Sequence, residues 1–171
     1  MADPGEQVRT ALVGAVETAA DVSSAVRSAM KSTVVGAFKD AGEIAANAAV
    51  FAGTVKSAMI GVADAGRGAI EGVRGAVGGA VLAASETGVD LAHAASSTMR
   101  GVLEAVGDLG GDSQKVIRAA AEGMIETAAG LGAQALSNVR RGLLEVAAIP
   151  RDVIDAAMQK ADDDASSGTG T

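Results

Sequence analysis

The chain is expected to be all-α. Long amphipathic helices rich in Ala and Gly should lie extended or fold into an antiparallel hairpin or bundle, with no β-sheet. Three observations lead there. Of 171 residues, 39 are Ala and 23 Gly, while the large apolar side chains number only 44. Apolar residues recur every three or four positions from Val8 to Val106, 27 steps over 98 residues or 3.63 residues per step. That period is helical, since a half-buried strand would alternate every second residue. Finally, charge occupies the opposite face, with Glu17, Asp21, Arg27, Lys31, Lys39, Glu43, Lys56, Asp64, Arg67, Glu71, Arg74, Asp90, Arg100 and Glu104, as in a helix with one wet side.

Taken in order, residues 1–5 read as an N-terminal arm and residues 6–109 as one long amphipathic helical region. Its apolar face is carried by Val8, Leu12, Val16, Val22, Val26, Met30, Val34, Phe38, Ile44, Val55, Met59, Val62, Ile70, Val73, Val77, Val81, Leu91, Met99, Val102 and Val106. The pair Gly78-Gly79 is the expected internal hinge, because each Gly inside a helix costs up to about 1 kcal/mol relative to Ala. A firm break follows at Asp108-Leu109-Gly110-Gly111-Asp112-Ser113. There the paired Gly can end one helix and Asp112 or Ser113 can cap the next. A second amphipathic helix covers residues 112–149, with Val116, Met124, Leu136, Val139 and Leu143 on its face, and Pro150 stops it. Residues 151–161 carry a short third helix. Residues 162–171 read as a disordered acidic tail, opening on Asp162-Asp163-Asp164.

Composition excludes several functions. The chain has no Cys, Trp or Tyr and one His, so no disulfide or thiolate site forms. Two Phe are too few for stacking on single strands, and a net charge of −7 opposes a binder of nucleic-acid backbone. No nucleic-acid partner is expected. No apolar run reaches the length of a membrane-spanning helix. The first residues lack the basic-then-apolar order of a secretion signal.

Chemistry is equally sparse. His93 stands alone, with Asp90 three residues before it and Ser97 four after, and reads as an ordinary surface or boundary His. The pairs Glu86/Asp90, Glu104/Asp108, Glu122/Glu126 and Asp152/Asp155 each share a helix face. A catalytic carboxylate needs a pocket that raises one pKa, which a chain with few bulky residues builds with difficulty. These pairs read as solvated acidic faces. Phosphate-loop patterns are absent. We therefore expect no catalytic residue, no metal ligand, no cofactor and no enzymatic activity.

Weak repeats run through the chain. Arg-Gly-x-aliphatic-Glu occurs at Arg67–Glu71, Arg100–Glu104 and Arg141–Glu145, the first two 33 residues apart, suggesting growth by duplication of short amphipathic units.

Thr33-Val-Val-Gly-Ala-Phe-Lys-Asp-Ala-Gly and Ile70-Glu-Gly-Val-Arg-Gly-Ala-Val-Gly-Gly-Ala-Val resemble the 11-residue amphipathic repeats of perilipins and synucleins. Over residues 6–149 the chain also resembles phasins, small helical proteins that coat polyhydroxyalkanoate granules. The resemblance implies a non-enzymatic coat on a cytoplasmic hydrophobic inclusion, a polyhydroxyalkanoate granule or lipid droplet, with no transmembrane segment. The chain departs from the synuclein type in being acidic rather than Lys-rich. The thin supply of bulky side chains points the same way, since something beyond one straight helix must complete the apolar face. The alternative is a soluble, self-associating helical bundle or scaffold, a homo-oligomer or structural assembly protein, that buries the same stripe in itself.

Overall fold

A computed structural model describes residues 9–10, 21–41, 48–65, 69–109 and 113–168. Within them lie seven helices and no strand: α1 (Val22–Ala41), α2 (Ala48–Ala65), α3 (Ala69–Thr87), α4 (Leu91–Leu109), α5 (Ser113–Leu131), α6 (Ala133–Leu144) and α7 (Arg151–Gly168). The all-α expectation holds, in its folded rather than its extended form.

The 3.63-residue pattern does not produce one rod. It is cut where local chemistry ends one helix and starts another. Gly88 takes φ 76°, a left-handed conformation natural to Gly. The amide of Val89 then donates back to the Ala84 carbonyl at 3.0 Å, closing α3 with a Schellman turn. Two residues on, the Asp90 carboxylate accepts the His93 backbone N–H at 3.0 Å and caps α4. Asp21 caps α1 likewise, accepting the Ser24 N–H at 3.1 Å.

Several expected boundaries move. Gly78-Gly79 is not a hinge, because α3 runs unbroken from 69 to 87 with both Gly buried inside it. The 112–149 helix is divided at Gly132, whose φ of 129° interrupts it. The last helix extends to Gly168, so Asp162, Asp163 and Asp164 are helical rather than a disordered tail. The arm at 1–5 and residues 169–171 lie outside the described residues.

The helices form two rows. The most extensive packing joins each helix to the next but one: α1, α3, α5 and α7 in one row, α2, α4 and α6 in the other. Contacts advance in the same direction along both partners. Gly75 lies on Ser23 and Gly79 on Arg27, Arg74 reaches Glu122, and Gly78 lies by Thr127. Neighbours within a row are therefore parallel. Repeat proteins stack in this quasi-one-dimensional way.

Small residues make the stacking close. A Cβ on Gly79 would stand 2.6 Å from the Arg27 carbonyl oxygen and one on Gly123 2.9 Å from Val77, while Gly101 abuts the Ala52 carbonyl and Gly142 that of Ala92. Gly79, Gly101 and Gly123 are 22 residues apart, the length of one helix with its turn. At Gly79, Gly101 and Gly142 backbone of the preceding row-mate occupies the space a side chain would need; at Gly123 the Val77 side chain is nearest, with Arg74 backbone at 3.1 Å.

The core is correspondingly fine-grained. Phe51, Met30, Met99, Met124, Ile125, Leu143 and Ile154 are fully buried, and Ala58, Ala76, Ala80, Ala83, Ala84, Ala94, Ala95, Ala105, Ala120, Ala121 and Ala128 fill the space between them. Burying Ala costs no side-chain entropy, and close approach raises the number of dispersion contacts per residue. In this way a chain short of bulk still closes a core.

Two buried hydroxyls are exceptions. Ser97 Oγ and Thr98 Oγ1 have no hydrogen-bond partner among the described residues. A buried, unpaired hydroxyl retains its desolvation cost. Thr98→Val, close to isosteric, should therefore raise stability by about 1 kcal/mol in urea unfolding. A loss of stability would mean that a water or an undescribed group satisfies that oxygen.

Candidate functional site

The expected interaction face lies largely inside the molecule. Val26, Met30, Val34, Val55, Met59, Val62, Val73, Val77, Val81, Met99 and Val102 are buried between the rows. Val22, Leu91 and Val106 are partly buried against that core. Ile70 is half-buried and lines a cleft on the surface. Val8, Leu12, Val16 and Ile44 lie outside the described residues, as does the side chain of Phe38. Stripe residues of different helices meet one another, so among the described residues no continuous apolar band faces outward. Of the large apolar side chains only Leu131 and Leu144 are exposed among the described residues.

The acidic pairs have a role that spacing alone did not reveal. Glu104 and Asp108 on α4 both approach Lys56 on α2, at 3.9 and 2.9 Å. Glu122 and Glu126 on α5 both approach Arg74 on α3, the second at 3.5 Å. In each fork the carboxylates stand 48 and 52 residues after the cation. Two helices of one row keep the same register in both cases. Elsewhere Lys31 pairs with Glu86 at 2.9 Å, Arg141 with Asp90 at 3.8 Å and Arg140 with Asp155 at 3.9 Å. The forks are partly exposed, so their energies are small, but they select which helices lie side by side.

These contacts set several protonation equilibria. Asp21 is held below its ordinary 3.8 by the Ser24 hydroxyl and N–H. The His93 N–H does the same for Asp90, and Lys31 holds Glu86 below 4.5. Asp108, with Glu104, holds Lys56 above 10.5. The depressed carboxylates add stability at neutral pH that is lost as pH falls through their folded values. The raised Lys56 adds stability that is lost as pH rises through its own. The thermal midpoint should therefore be level between about pH 5 and pH 10 and fall on either side. The drop should shrink in high salt because the groups face water. A midpoint that rises on acidification would contradict these pairings.

Asp90, His93 and Ser97 do not form a relay, since Asp90 takes the backbone N–H of His93, His93 is exposed and Ser97 is buried. Among the described residues no group of three His or carboxylate side chains could hold a metal ion. No described helix is long and apolar enough to cross a membrane.

Sequence reasoning missed the concave features of the surface. Ile70 and Arg74 of α3 face Lys115, Arg118, Ala119 and Glu122 of α5 across a cleft of about 200 Å³. No sequence signal marks it, because its two walls come from segments more than forty residues apart.

No family model, no curated protein and no solved structure matches the chain.

Proposed function

We propose that the protein is a non-enzymatic structural module, a self-closed helical stack that works through its charged outer surface. One observation carries this reading: most of the described part of the apolar stripe, the strongest feature of the sequence, is buried between the two rows. A stack held by parallel row-mates offers a long, stiff surface, which repeat architectures use to bind or align partners, including further copies of themselves.

The granule or lipid-droplet coat, in the cytoplasm, is the second reading. What favours it is the core itself, built largely from Ala and Val with few large anchors. If the rows part, each helix of 18–20 residues in α1 to α5 becomes an amphipathic segment of the phasin or perilipin kind. Adsorption would then depend on length rather than on any single side chain.

Circular dichroism at low micromolar concentration separates the two, recorded alone and with protein-free triglyceride or polyhydroxybutyrate particles. The scaffold reading expects high helicity, a sharp melt and no response to either particle. Protein bound to the particles that has lost its cooperative melt while keeping its helicity would replace it with the coat reading.

A further inference from the structure

We draw no further inference here: the strongest candidate, the exposed and charge-free surface patch from Ala129 to Ala133 at the turn between α5 and α6, centred on Leu131, is an apolar face for which nothing in the structure shows what covers it.

Discussion

Gly101→Ala and Gly142→Ala should each destabilise the protein by about 1–3 kcal/mol in urea unfolding. Helix propensity alone predicts the opposite sign, a gain of about 1 kcal/mol for replacing a mid-helix Gly. The reversal arises because the new methyl would meet the backbone of Ala52 or Ala92 on the row-mate, and a helix axis is harder to displace than a flexible side chain. The structure contains its own control. Gly53, exposed within α2, has nothing within 4 Å of an added Cβ, so Gly53→Ala should stabilise by about 0.5–1 kcal/mol. If all three variants stabilise alike, the rows are not in contact as described.

Val55→Asp should cost more than about 4 kcal/mol and leave the chain largely unfolded, because an ionised carboxylate would sit in a site with no exposure and no partner. Ile70→Asp, on the half-buried cleft wall, should fold with a loss of about 1 kcal/mol or less. Melting curves would check both. The contrast bears on function: lost adsorption in a Val55 variant would report unfolding, whereas Ile70→Asp alters a surface position while the fold persists. A Val55→Asp protein that melts normally would mean that the stripe is not packed between the rows.

How much of this was legible in the sequence depends on the kind of signal. The helical class was, because a 3.63-residue period needs no tertiary information. The points where the chain turns were not, because the apolar period continues in phase across Gly88-Val89-Asp90 and hides the cut. The signal was nevertheless present: a Gly followed two residues later by Asp is a helix end joined to a helix start. Gly78-Gly79 misled in the other direction. Read locally, two Gly weaken a helix, but here α1 and α5 press on them, a fact that depends on residues some fifty positions away. The Arg-Gly-x-aliphatic-Glu repeat was visible as a repeat. Its role, with Gly101 and Gly142 at helix crossings and Arg141 and Glu104 in ion pairs between row-mates, needed the partner helices. Ala was undervalued for the same reason: alone it anchors nothing, and between two close backbones it is the core.

The two-row arrangement also governs how the protein can come apart. α1 packs mainly on α3, and α7 mainly on α5; among the ion pairs described, none spans more than the 55 residues between Lys31 and Glu86. Order therefore passes from neighbour to neighbour, and cooperativity is only as strong as each junction. Such a chain can begin folding at any adjacent trio of helices and extend both ways. The buried α3 and α4 should hold their amide protons longest, while α7, packed mainly on α5 alone and largely exposed, should exchange sooner.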